Sequence, residues 1–332
     1  MNEQPFFSVG VPTYNRVELL KSALNHLLAQ SYTHFEIIIG DNCSTDGTEA
    51  FVRSLQDPRI RYFRHPENIG PMPNFVFLTK QARGEFVLIH QDDDLLHHEF
   101  LKRCYETVSL DPEIVFYATP WWRGNALHGF RSKLFRDVLN GKPDYVMRDQ
   151  PLIMDGKIGA VSLLHSFHFA HPAIAFRRSA LEASGGYCPE VENVSDVITE
   201  ARVLCRGKFA YDPRIGGIFT DHGQNASRTM SKQFKLLTYL NMYAGLLKEI
   251  EACGVDWPSL LSKDLELYSD NELLAVFSEW ARYHAPRRLQ AHGWKTIRNR
   301  RSMSGLKLVR KLLAKVGWRN LLRFGQVMMS SR

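Results

Sequence analysis

The 332-residue chain has no run of ~18 apolar residues, so no bilayer-spanning helix is expected. Its opening, Met1-Asn2-Glu3-Gln4, lacks the basic stretch and apolar core of a secretory leader, which points to the cytoplasm. Cysteine is sparse. The five residues (Cys43, Cys104, Cys188, Cys205, Cys253) are odd in number and never paired as CxxC, so reduced thiols are expected rather than a disulfide framework or a zinc knuckle. There is no GxGxxG and no GxxxxGK[ST], which argues against a Rossmann dehydrogenase and a P-loop NTPase. Acidic residues are missing from Pro286 to Arg332, where 13 Lys and Arg stand. The preceding 285 residues then hold 29 basic and 35 acidic side chains, a mildly acidic body before a basic tail.

What is present suits one large or two modest globular domains, with 44% hydrophobic and 23% charged residues. The first half alternates strand and helix. Phe7 to Val11, Phe35 to Gly40, Ile60 to Phe63, Phe86 to His90 and Ile114 to Ala118 read as strands. Val17–Gln30, with Val17, Leu20, Leu24, Leu27 and Leu28 at helical spacing, Gly47–Leu55, Asn74–Gln81 and His97–Ser109 read as helices, the second capped by Asp46. Later, His171 to Phe176 reads as a strand and Ser195 to Arg206 as a helix. This alternation predicts an α/β fold with a mostly parallel sheet covered on both faces. Residues 1–231 form the expected catalytic-type domain and 232–332 a helical C-terminal region. Residues 121–166, poor in periodicity, read as an insertion able to cover a site.

Ligands of such sheets bind at the carboxyl ends of the strands. Three of those ends are polar here: "PTYNR", "DNCSTDGT" and "HQDDD". The last holds three adjacent carboxylates, Asp92, Asp93 and Asp94, which repel one another unless a cation or hydrogen-bond donors compensate. Mn²⁺ or Mg²⁺ bridging to a diphosphate would do so, and an acidic loop favourable at the following helix start is the alternative.

"FSVGVPTYNR", "FEIIIGDNCSTDGT", "ENIGPMPN" and "GEFVLIHQDDD" occur in the order and spacing of the family 2 glycosyltransferases of the GT-A fold, and the chain resembles that family over about residues 6 to 225. The resemblance implies inverting transfer of a sugar from a nucleotide-diphosphate donor, with uridine diphosphate the expected nucleotide. It assigns Pro12, Thr13, Tyr14, Asn15 and Arg16 to the loop lining the nucleotide, Asp41 to the base, and Asn68 and Gly70 to the segment beneath it. Asp92 would face the ribose and Asp93 the metal, with Asp94 nearby; the family often has Asp where Gln91 stands. "FTDHGQNAS" resembles the segment that supplies a metal-ligating histidine, here His222.

In "GGYCPEVENVSDVITEARVLCRGKFAYDP" the family's Glu-Asp pair, whose Asp is the catalytic base, is replaced by Ser195-Asp196. Asp196 is thus the expected base. A plain first-turn helix acid is the alternative, and Glu192 and Glu200 are substitutes. His165, His168 and His171 lack zinc-type partners and read as acceptor-pocket lining or structure, and the Trp121-Trp122 pair as sugar stacking or burial.

From 305 to 324 the tail carries Lys307, Lys311, Lys315, Arg319 and Arg323 at every fourth position, with Leu and Val largely opposite. That is the pattern of a helix lying on an anionic membrane surface, or of a helix packed on the body with its basic face in water. No recognition module accompanies the charge, so nucleic acid is not an expected partner. A glycan or lipid-linked acceptor at the inner face of the cell membrane would suit the membrane reading. Two rivals stand beside the transferase: a silent nucleotide-sugar-binding homologue, favoured by Ser195, and a nucleotidyltransferase, disfavoured because "PTYNR" is not a Gly-rich basic loop.

Overall fold

A computed structural model describes residues 4–123, 126–128, 150–163, 169–188, 195–220, 245–246 and 248–255. The chain divides into two compact units, one of residues 1–231 with 241–257 and one of 232–240 with 258–332. The second, with the basic tail, lies outside the described residues.

The first unit is built on an eight-stranded sheet. Its strands are β1 (Phe7–Thr13), β2 (Phe35–Asp41), β3 (Ile60–Arg64), β4 (Phe86–Ile89), β6 (Ile114–Ala118), β9 (Leu152–Asp155), β10 (Ile174–Arg177) and β11 (Lys208–Tyr211). The order is β3-β2-β1-β4-β10-β6-β11-β9. β3, β2, β1 and β4 run parallel, as do β6 and β11, whereas β10 and β9 run antiparallel to their neighbours. The sheet is therefore mixed α/β and mostly parallel, as its apolar strands predict. β2, β4 and β6 are buried along their whole length, the signature of strands covered on both faces.

Helix α1 (Val17–Leu28) turns Leu20, Ala23, Leu24 and Leu27 into the core, the 3.6-residue stripe its sequence carries. Asp46 serves two helix starts at once. Its Oδ2 accepts from Val17 N–H at 2.9 Å, and its Oδ1 accepts from the N–H and hydroxyl of Thr48, first residue of α2 (Thr48–Ser54).

Helix α3 (Pro71–Gln81) begins earlier than the apolar spacing predicts, because Pro71 occupies the first helical position after Gly70, whose φ of 86° suits glycine. Leu95–Leu96 forms the short strand β5, and the helix expected from His97 begins at Phe100 as α4 (Phe100–Val108). β5 pairs with β12 (Gly217–Phe219), which pairs with β7 (Trp121–Arg123), itself paired with β8 (Ala126–His128). Within the stretch read as an insertion, β9 is the edge strand of the main sheet and α5 (Gly156–Ser162) follows it. His171–Ala173 is a 3₁₀ turn before β10, after which come α6 (Arg178–Ala183) and α7 (Ser195–Leu204). Among the described residues no helix is long and apolar enough to cross a membrane.

Candidate active site

The parallel register of β1 with β2 and β4 brings three strand ends together: Thr13 pairs with Asp41, and His90 N–H donates to Gly10 O at 2.8 Å. The polar residues that follow each strand consequently share one end of the sheet. The aspartate triplet is not on a solvated loop. Asp92, Asp93 and Asp94 are 3%, 7% and 1% exposed.

Asp92 and Asp93 are held from the loop after β1, and Asp94 from the segment after β12. Asp92 Oδ2 accepts from the Thr13 hydroxyl at 2.7 Å, and Asp92 Oδ1 and Asp93 Oδ2 both face Arg16 Nη1, at 3.3 and 3.0 Å. Asp94 Oδ1 accepts from Thr220 N–H at 3.0 Å, just beyond β12. Burial pushes the Asp92 carboxyl up to about 6; the Thr13 hydrogen bond and the Arg16 charge pull it down, while Asp93 pushes it up. His90 beneath is fully buried, and burial drives its pKa down to about 4. It is therefore a neutral imidazole, and its Nε2–H donates to Asp94 O at 3.1 Å.

The remaining residues expected on the nucleotide side form a second bonded layer. Asp41 is wholly buried, its Oδ1 accepting from Ser44 N–H at 2.8 Å and its Oδ2 from the Tyr62 hydroxyl at 2.5 Å. Asn15, at φ 51°, accepts from Thr45 N–H at 2.7 Å and donates its own N–H to Ser44 Oγ at 2.9 Å. The loops after β1 and β2 are thereby laced together. Asn42 ties in the third segment: its Nδ2 donates to Gly70 O at 3.0 Å and its Oδ1 accepts from Ile69 N–H at 3.2 Å. Asn68 Oδ1 accepts from Gly70 N–H at 2.9 Å and fixes the turn into α3. Pro12 is half-buried, while Tyr14, 45% exposed, stands at the rim.

Asp196 opens α7, where its Oδ1 accepts from Val197 N–H at 2.9 Å. Its charge is felt by three buried groups. Burial pushes His171 down and the Asp196 charge partly offsets this; burial and then Asp196 push Glu200 and Tyr187 well above their ordinary ranges. His171 Nε2 lies 3.1 Å from the Tyr187 hydroxyl, and Phe75 of α3 packs edge-on against both rings at 5.5 Å. The charge of His171 adds slightly to the lowering at His90, after burial. Ser195, which stands where the family has Glu, is buried and accepts Cys188 N–H at 2.6 Å.

Tyr62 carries no signal in the sequence, whereas Asn42 and Ser44 stand in "DNCSTDGT", Thr220 in "FTDHGQNAS", Tyr187 in the acceptor-side segment, and His171 among the three histidines read as acceptor-pocket lining or structure. His222, Glu192, His165 and His168 lie outside the described residues.

A divalent ion fits these residues. Asp92 and Asp93 offer carboxylate oxygens to a single cationic nitrogen, and hard cations bind through one or two carboxylates plus phosphate oxygens. Among the described residues no group of three or more His, Cys, Asp or Glu could by itself hold a metal ion.

A mostly parallel α/β sheet with an acidic triplet at a central strand end is the arrangement that the resemblance to GT-A glycosyltransferases implies. Residues 8–185 match the model of glycosyl transferase family 2, and the chain belongs to that family. A segment of 95 residues is 42% identical to the GalNAc(5)-diNAcBac-PP-undecaprenol beta-1,3-glucosyltransferase of Campylobacter jejuni, covering 28% of this chain and 31% of that one. The matched segments span about a third of the length of such curated relatives. Two solved structures share the fold. Staphylococcus aureus TarS 1-349 in complex with UDP-GlcNAc aligns with a TM-score of 0.56 at 19% identity, over 72% of this chain and 66% of that one. The mannosyltransferase PcManGT from Pyrobaculum calidifontis, in complex with GDP-Man and Mn²⁺, aligns with a TM-score of 0.51 at 19% identity, over 85% and 82%.

Proposed function

We propose that the protein is a metal-dependent, inverting glycosyltransferase. It moves a sugar from a nucleotide-diphosphate donor, a UDP-sugar, to a hydroxyl of a glycan or lipid-linked acceptor in cell-surface polysaccharide synthesis. The observation that carries this reading is the buried acidic triplet at the end of β4, with Asp92 and Asp93 both facing the Arg16 guanidinium.

Pro12, Thr13, Tyr14, Asn15 and Arg16 line the donor, Asp41 and its partners hold the base, and Asn68 and Gly70 pass beneath the nucleotide. Asp92 would face the ribose, and Asp93, Asp94 and His222 would hold Mn²⁺ or Mg²⁺, which would supply positive charge to the departing diphosphate. Asp196 accepts the acceptor's hydroxyl proton as that oxygen bonds to the anomeric carbon and the bond to the diphosphate breaks, from the opposite face, inverting the centre. The separation of Asp196 in sequence from the triplet, and its place among buried His171, Tyr187 and Glu200, support that division of labour. The basic stretch 305–324 is proposed to meet an anionic membrane; its charge pattern supports this, and the residues lie outside those described.

The silent-homologue reading rests on Ser195. Incubation with UDP-, GDP- and dTDP-sugars in Mn²⁺, with and without cell-envelope glycolipid, separates the two. Metal-dependent release of one nucleoside diphosphate supports transfer; binding with no turnover of any donor favours the silent protein.

A further inference from the structure

Helix α7, which opens with Asp196, has a partner helix from much later in the chain. Residues 245–246 and 248–252 are helical and belong to the same compact unit as α7. Leu246 and Ile250 are fully buried, so this stretch is packed rather than laid on the surface. Contacts between the two helices recur once per turn. A Cβ at Gly245 would fall 2.8 Å from Ile198 Cδ1, so the helices approach closely there. One turn on, Arg202 Nη2 donates to Glu249 Oε1 at 2.7 Å. The third contact is Cys205 with Cys253, whose side chains are hydrogen-bonded to each other. Ile198, Arg202 and Cys205 recur at helical spacing, as do Gly245, Glu249 and Cys253. Each trio therefore lies on one face of its helix, and the two helices run in the same direction.

Both cysteines sit at helix ends. Cys205 directly follows α7, and its N–H donates to Ala201 O at 3.0 Å. Cys253 N–H donates to Glu249 O at 3.1 Å, and Gly254, at φ 67°, stops that helix. Both are free thiols and partly exposed, whereas Cys104 and Cys188 are buried. We propose that Cys205 and Cys253 form a reversible dithiol site, which small-molecule disulfides oxidise to a bond that staples α7 to the helix ending at Gly254. Two exchanges complete the step. The Cys253 thiolate attacks one sulfur of R–S–S–R, and the other half leaves and takes up the proton that Cys253 gave up. Cys205, losing its proton, then attacks Cys253 Sγ, forms the internal bond and releases the second R–SH. Two protein thiols thus lose two protons and two electrons, and one R–S–S–R becomes two R–SH.

The order of attack follows from the surroundings. Burial, then the hydrogen bond to Cys253 and the Cys253 charge, push the Cys205 thiol up, while Lys157 and Arg206 pull it down. Once Cys253 carries the mixed disulfide it is neutral, and its share of that push is gone. The loop that the bond closes spans 206–252 and takes in Thr220, which holds Asp94.

The test incubates the full chain with oxidised glutathione, alkylates the remaining thiols and maps the cysteine-bearing peptides by mass spectrometry. Wild type and Cys43→Ser are expected to lose the Cys205 and Cys253 thiols to one internal link that dithiothreitol reverses. Cys205→Ser is expected to stop at a glutathione adduct on Cys253, and Cys253→Ser to form no internal link. Glutathione adducts on wild type without a link, a link between other cysteines, or two thiols that stay free would overturn the proposal. Thermal melting is the second readout. Oxidised wild type is expected to melt about 4 °C or more above the reduced protein, a gain absent from Cys205→Ser and Cys253→Ser. An equal gain in those variants would place the stabilisation elsewhere and overturn the staple.

Discussion

The Thr13 hydroxyl donates to Asp92 Oδ2 at 2.7 Å, joining the ends of β1 and β4 across 79 residues of sequence. The two strands are hydrogen-bonded neighbours, so the sheet register itself sets this contact. Replacing the hydroxyl with a methyl group keeps the shape and leaves a buried carboxylate oxygen without its donor. Thr13→Val is expected to lose ~1–3 kcal/mol of stability in urea denaturation, with weaker metal-dependent nucleotide binding, and Thr13→Ser to retain most of both.

Asp196→Asn removes the proposed base without changing the side chain's size. Sugar transfer is expected to fall by about 10²–10⁴-fold while nucleotide affinity, measured by calorimetry, is kept. Wild-type turnover in this variant would move the base to another residue.

Glu200 predicts a pH effect. Burial first, and the Asp196 charge second, raise its folded-state pKa well above the ordinary carboxylate value. At acidic pH both folded and unfolded chains carry the proton, so the group is neutral in the balance. As pH rises past about 4.3 the unfolded chain releases it and the folded one does not, so stability declines. Glu200→Gln removes that liability. The variant is expected to exceed wild type in denaturation midpoint at neutral pH, with the gap closing towards about pH 4.

Gly40 lies where β2 meets α3. A Cβ there would fall 2.3 Å from Asn74 Oδ1, and Asn74 is bonded both to Gly40 O at 2.8 Å and to His65 Nε2 at 3.1 Å. Gly40→Ala is expected to cost about 1–3 kcal/mol through overpacking, read by chemical denaturation. Unchanged stability would mean that α3 shifts freely against the sheet.

Much of this architecture is legible in the chain because its signals are local. β2, β4 and β6 are unbroken apolar runs, α1 carries its stripe, and the polar residues after Val11, Gly40 and His90 advertise the site. What escapes depends on partners distant in sequence. β10 and β9 run antiparallel because of where the chain re-enters the sheet, and β5 and β12 are strands of two and three residues that exist only through pairing. Pro71-Met72-Pro73 looks like a loop until Gly70's positive φ turns it into a helix start.

The site divides in the same way. Asp92, Asp93 and Arg16 are visible as residue types, but the shared nitrogen that links them follows only from the β1–β4 register. Thr220's grip on Asp94 spans 126 residues and leaves no mark in the sequence.

The most direct test is calorimetric titration of UDP, GDP and dTDP into the purified protein, first with Mn²⁺ and then with EDTA. Binding of one nucleotide, with UDP expected, that disappears in EDTA would support the donor site at the Asp92–Asp93 pair. No binding of any nucleotide under either condition would contradict it and leave the triplet an internal structural cluster.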